Sequence, residues 1–225
     1  MHPPEQSPVN PMPPIVWVLF LAVAVPELVF SMGEAGLVGG PEAIGWRLAA
    51  AREYGFVGPV FDQMLSLWIF PWEHVLRFVS YPFIHQGFTG TLFGAVLLLA
   101  LGKLVGEVMG QLAVAVVFVF SGIVGALAFG LLTDQTLLIG AFPPVYGLIG
   151  CYTFVMWHRL ERMGEGPARA FGLIGLLMVI QIGFSMFSGS LEWVADLAGF
   201  LCGLGLSLVV VPGGLARLRR LVQRR

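Results

Sequence analysis

Six apolar runs, each close to the roughly 20 residues that cross a hydrocarbon core as a helix, constrain this chain more than any other feature. They cover about Pro14–Met32, Phe83–Val105, Gln111–Leu132, Leu137–Trp157, Ala168–Phe187 and Leu191–Val211. Apolar residues make up 57% of the sequence and charged residues only 11%. A water-soluble surface needs more charge than that, so the expected class is an all-α membrane protein. Charges within the runs are few: Glu27, Lys103 and Asp196. Glu27 and Lys103 lie near run ends, where side chains can snorkel to the interface. The fourth run is the weakest span, because Pro143-Pro144 should precede its regular helical part.

The basic residues orient the runs. With both termini on the cytoplasmic side, the inner segments hold nine Lys or Arg residues, including Arg159, Arg162 and the Arg217–Arg225 cluster; the outer segments hold three, Arg47, Arg52 and Arg77. That asymmetry favours cytoplasmic termini. The first run lacks a basic flank and is as long as a span, so it reads as a membrane helix rather than a signal peptide. With no organelle-targeting segment apparent, a bacterial inner membrane is expected. A formal net charge of −1 provides no basic field for nucleic acid. The expected partner is the lipid bilayer.

The organisation follows from composition. Residues 1–13, rich in proline, read as a disordered cytoplasmic tail. Residues 14–211 form the membrane domain, and residues 212–225 a basic cytoplasmic tail that stops and anchors the last helix. Residues 33–81 form a long first loop, too long to be structureless. Pro41–Tyr54 and Phe61–Phe70 read as short helices within it. Its tryptophans and phenylalanines beside Arg and Glu suit the outer headgroup level.

Four blocks within Arg77–Val211, among them Tyr81-Pro-Phe-Ile-His85, Pro144-Val-Tyr-Gly147 and Val194-Ala-Asp-Leu-Ala-Gly199, resemble the rhomboid family of intramembrane serine proteases. Arg77 stands eight residues before His85, as the Arg of the family's Trp-Arg pair does, with Leu76 in place of the Trp. The stretch Tyr81-Pro-Phe-Ile-His-Gln-Gly-Phe-Thr-Gly-Thr-Leu-Phe-Gly94 is similar to the start of the family's second span. There the pattern is His, four residues, His, three residues, Asn. His85 keeps the first position, while Gly90 and Gly94 occupy the other two. The helix end Leu101-Gly-Lys-Leu-Val-Gly-Glu107 is similar to the family's Gly-Arg-x-x-Glu. Pro144-Val-Tyr-Gly147 aligns with the nucleophile motif Gly-x-Ser-Gly and puts Tyr146 at the serine. A second register, Gly147-Leu-Ile-Gly150, puts Ile149 there and suits the helix end less well. Val194-Ala-Asp-Leu-Ala-Gly-Phe-Leu-Cys-Gly203 matches Ala-His-x-x-Gly-x-x-x-Gly, with Asp196 at the general base. The resemblance implies a six-transmembrane-helix bundle with a long, partly helical first loop.

It also implies a site without its chemistry. Peptide hydrolysis in the family needs a serine hydroxyl activated by a histidine and preorganised donors for the oxyanion. Tyr146 and Asp196 replace the dyad, and Gly90 and Gly94 remove two side-chain donors. His85, Pro144 and Gly147 are left as residues that could line the site. Tyr146 and Asp196 are expected to be neighbours, placed where a hydrogen bond between them is open. Gly199 and Gly203, four residues apart on one helix face, are expected to let two backbones approach. Cys151 and Cys202 show no metal spacing and read as buried free thiols at similar depth; neither a metal nor another cofactor is implied. An apolar setting keeps the Cys151 thiol protonated and inert, a poor replacement nucleophile.

Three function classes follow. The leading one is a non-catalytic rhomboid relative that binds transmembrane segments of membrane-protein clients. The second is an intramembrane protease with a non-standard site. The third, motivated by Glu27, His85 and Asp196, is a small transporter or channel.

Overall fold

A computed structural model describes residues 11–210, leaving out the side chains of residues 184 and 185. The described residues form α1 (Pro14–Glu34), α2 (Trp46–Tyr54), α3 (Gly58–Leu67), α4 (Trp72–Ser80), α5 (Phe88–Met109), α6 (Gln111–Leu132), α7 (Phe142–Arg162), α8 (Gly172–Ser188) and α9 (Glu192–Val210). Two short strands, β1 (Phe56–Val57) and β2 (Leu137–Leu138), pair antiparallel, with Phe56 opposite Leu138. Five of the helices are long and apolar enough to cross a membrane: α1, α5, α6, α9, and α8 together with its leading turn from Pro167. The sixth long helix is α7. Arg159, Glu161 and Arg162 make its last turn polar, but every residue from Pro143 to Cys151 is buried. It runs through the middle of the bundle, packed on α5, α6 and α9. A helix apolar on all sides at one end is stable when neighbours cover all of those sides.

Several boundaries differ from the sequence reading. The fourth span begins at Phe142, not Leu137, because Leu137 and Leu138 are drawn into the strand pair. Pro143 and Pro144 do not precede the helix but sit in its first turn, where a missing N–H removes no intrahelical bond. The second span begins at Phe88; Tyr81–Phe83 is a separate single turn. The two terminal tails lie outside the described residues, apart from the last residues before α1.

The long first loop is folded. A tight turn over Gly40–Gly45 divides the expected Pro41–Tyr54 helix, so that α2 starts only at Trp46. The second expected helix, Phe61–Phe70, is displaced to Gly58–Leu67, with Pro59 in its first turn. Phe56, Phe61 and Phe78 pack edge-on within the loop, with ring centroids 4.9–5.6 Å apart. Phe56 also meets Phe129 of α6 at 6.3 Å. Gly130 makes room for this cluster, since a Cβ there would enter the Phe61 ring. The opposite side of the loop leaves Trp68, Ile69, Phe70 and Trp72 exposed.

One ion-pair network ties this loop to the bundle. Arg47 of α2 donates from Nη1 to Glu27 Oε2 at 2.7 Å and from Nη2 to Glu27 Oε1 at 2.9 Å. Its Nε donates to Glu34 Oε1 at 2.7 Å. Ser31 and Thr91 hydroxyls also donate to Glu27, at 2.8 and 2.9 Å. Nη1 reaches the His85 carbonyl at 3.1 Å as well. The hydrogen bonds to Glu27, then those to Glu34, raise the Arg47 pKa above its ordinary value. Glu27 therefore does not snorkel. It is 4% exposed, because its carboxylate is more stable under a forked guanidinium than it would be in lipid.

Removing the guanidinium would leave a buried, uncompensated carboxylate. Arg47→Ala is expected to destabilise the protein by about 3–5 kcal/mol, read as a lower midpoint of denaturant unfolding in micelles. Arg52→Ala, at an exposed position of the same helix, should leave that midpoint nearly unchanged.

Candidate functional site

The site is built around the first two turns of α7. Three contacts fix the chain as it enters that helix. The β1–β2 pair holds Leu137 and Leu138. Gly140, at φ +106°, donates its N–H to the Tyr81 carbonyl at 3.1 Å. Ala141, the residue before α7, donates its N–H to His85 Nε2 at 3.2 Å. Tyr81 is itself fixed, since its hydroxyl donates to the Gly122 carbonyl of α6 at 2.9 Å.

His85 is thus a structural acceptor rather than a histidine facing water. It is 3% exposed and lies in the turn before α5. Burial pushes its pKa down to about 4, which keeps the ring neutral and leaves Nε2 free to accept.

Beyond this entry, α7 and α9 touch backbone to backbone. A Cβ on Gly199 would strike the Pro143 carbonyl, and one on Gly203 the Gly147 carbonyl. A Cβ on Gly150 would strike the Phe200 carbonyl, and one on Gly147 the Ser121 side chain of α6. Gly147 and Pro144 are buried among helices, so the structure puts Gly147 in the packing seam rather than on an open wall. Cys151 lies in the same seam, fully buried, with its Sγ 3.3 Å from the Gly203 carbonyl. Cys202 is also a free thiol but only part-buried. Burial of both thiols was expected, and only Cys151 meets it, because α9 turns Cys202 partly outward.

Tyr146 and Asp196 are each 2% exposed. Among the described residues no hydrogen bond joins them. The carboxylate takes a different partner: Gln181 Nε2 of α8 donates to Asp196 Oδ2 at 2.7 Å. The expected Tyr146–Asp196 bond is corrected by this contact. Asp196 Oδ1 and Gln181 Oε1 are both buried without a partner. The two oxyanion positions differ from one another. A Cβ at Gly90 would meet nothing within 4 Å, whereas one at Gly94 would lie 3.8 Å from His85 Nε2.

Sequence reasoning missed two participants. Gln181 is the one carboxamide in the otherwise apolar stretch Gly172–Ser188, and a lone amide in a span signals a polar partner. Arg47 was counted only for orientation. Its approach to Glu27, 20 residues away, had no local pattern to reveal it.

Long helices around a buried central one, a folded first loop and a polar cluster at one end of the bundle define a membrane-embedded helical protein of the rhomboid kind. The family model for the Rhomboid domain matches residues 72–213, more than half of the chain, and the chain belongs to the rhomboid family. Its relatives include Inactive rhomboid protein 2 of Homo sapiens, 27% identical over 164 residues, which are 70% of this chain and 17% of that protein. Putative rhomboid protease YdcA of Bacillus subtilis is 24% identical over 136 residues, 60% of this chain and 67% of the relative. Rhomboid-related protein 2 of Mus musculus is 27% identical over 151 residues, 61% of this chain and 49% of the relative. The match thus spans only a small part of the human relative and about half of the mouse one.

The α7–α9 seam and the Gly90 position should respond oppositely to one added methyl. Gly203→Ala forces backbone apart and is expected to lower stability by about 1–3 kcal/mol. Gly90→Ala enters open space in a helix and should be neutral or slightly stabilising. Thermal unfolding of the two variants in the same detergent checks both signs.

Proposed function

We propose that this chain is a non-catalytic rhomboid relative that binds transmembrane segments of membrane-protein clients. The observation that carries the reading is the occupancy of the dyad positions. Tyr146 is closed in at the nucleophile position, and Asp196 at the base position is bonded to Gln181. A deprotonated serine needs an adjacent base and an oxyanion pocket of preorganised donors. Helix α7 has no serine, and its thiol Cys151 is wholly buried against the Gly203 carbonyl. Glycines at positions 90 and 94 bring no side-chain donors.

The transporter alternative loses support from the same contacts. Glu27 is clamped by Arg47, and His85 accepts the Ala141 N–H. Two of the three residues that motivated an ion path are thereby committed to holding the fold. In this reading both termini face the cytoplasm of a bacterial cell and the exposed aromatic edge of the first loop rests in the outer interface.

Purified protein in liposomes is expected neither to cleave a single-span substrate nor to react with a serine-directed fluorophosphonate. Cleavage that disappears on changing Tyr146 or Asp196 would establish the protease reading instead. A reporter fused after Arg225 should be active only in its cytoplasmic form; activity of an external reporter there would overturn the orientation.

A further inference from the structure

We propose that Asp196 recognises client transmembrane segments carrying an arginine or lysine about one turn inside their end at this face of the bundle. The inference rests on the client-binding reading and names the class of client. Asp196 is a half-satisfied acid inside a membrane bundle: Oδ2 accepts one N–H from Gln181, and Oδ1 has no partner among the described residues. Gln181 Oε1 is likewise unpartnered. With Asp196 ionised both orphan atoms are acceptors, and what the site lacks in that state is a donor. A neutral carboxamide brings one N–H to the carboxylate, whereas a guanidinium brings two in parallel and an ammonium brings compensating charge. In a membrane the gain from such a pairing is large for both partners, since each is costly alone.

The wall beside Asp196 is the part of the bundle held most loosely. Helix α8 docks through its first half, where Ile174 is buried and Leu173, Leu177 and Met178 pack on the core. Among its described side chains Leu176 and Val179 before Gln181, and Met186 and Phe187 after it, are 60–92% exposed. Helix α8 packs on α9 and on the Pro167–Phe171 turn, with no comparable packing on α5. Gln86, just before α5, reaches Glu192 at the start of α9 at 3.5 Å. The first turns of α5 and the last turns of α8 therefore border the same end of α9. A client helix entering along this border meets Asp196 by displacing one hydrogen bond, that of Gln181. Asp196 stands four residues into α9, or about 6 Å of helix rise, and this depth sets where the client's basic residue must be.

The test uses the full chain in lipid nanodiscs and two leucine-alanine single-span peptides. One carries an arginine one turn inside each end, and the other carries leucine at those positions. Binding is read by energy transfer between labelled partners. The arginine peptide is expected to bind at least about tenfold more tightly than the leucine peptide. Asp196→Asn should abolish that difference. Gln181→Leu, which takes away the resident donor, should widen it, an effect of opposite sign that misfolding would not produce. Equal, measurable affinity for both peptides, or a preference that persists in Asp196→Asn, would overturn the role of Asp196 while leaving client binding standing. Binding of neither peptide by folded protein would overturn both.

Discussion

The close contact of α7 with α9 is the constraint on which the rest of the bundle depends. Glycines at 150, 199 and 203 let carbonyl groups of one helix occupy space that a Cβ on the other would fill. Without a hydrophobic drive between helices in lipid, association rests on such close packing and on hydrogen bonds. The contact fixes Tyr146 and Asp196 at one end of the bundle and buries Cys151 lower down. It also makes α7 central, so that α5 and α6 are placed by packing around it.

A second layer of constraint acts at the entry to α7. The Tyr81 and His85 contacts hold the backbone of Gly140 and Ala141, while Arg47 holds the His85 carbonyl and Glu27 together. Backbone groups and paired charges dominate this scaffold. One side of most of these hydrogen bonds is a main-chain group, while Arg47, Glu27, Tyr81 and His85 supply the side chains. Fold and chemistry are separable in this way, because a site is carried on a fold and not dictated by it.

The half-satisfied Asp196–Gln181 pair sits where this frame is weakest. Among the described side chains, α8 meets the core through Leu173, Ile174, Leu177 and Met178 and meets α9 through one hydrogen bond, that of Gln181. Polar groups in lipid are costly unless paired, and the Gln181 amide supplies one of the pairings of Asp196.

The long apolar runs, read from the sequence, determined the membrane class, the number of long helices and the approximate position of each, because hydropathy over some twenty residues is a local property. Motif order and spacing were enough for the family. Helix starts were less legible: Phe142 and Phe88 begin α7 and α5 because strand pairing and the Tyr81 turn claim the residues before them. The partners of buried polar groups were not legible at all. Arg47 meets Glu27 across 20 residues and Gln181 meets Asp196 across 15. Whether Glu27 faces lipid or an arginine, and whether Asp196 bonds Tyr146 or Gln181, depends on how helices rotate and pack. Only the tertiary structure decides that, because the free energy of a buried charge is set by the groups brought beside it and not by its neighbours in sequence.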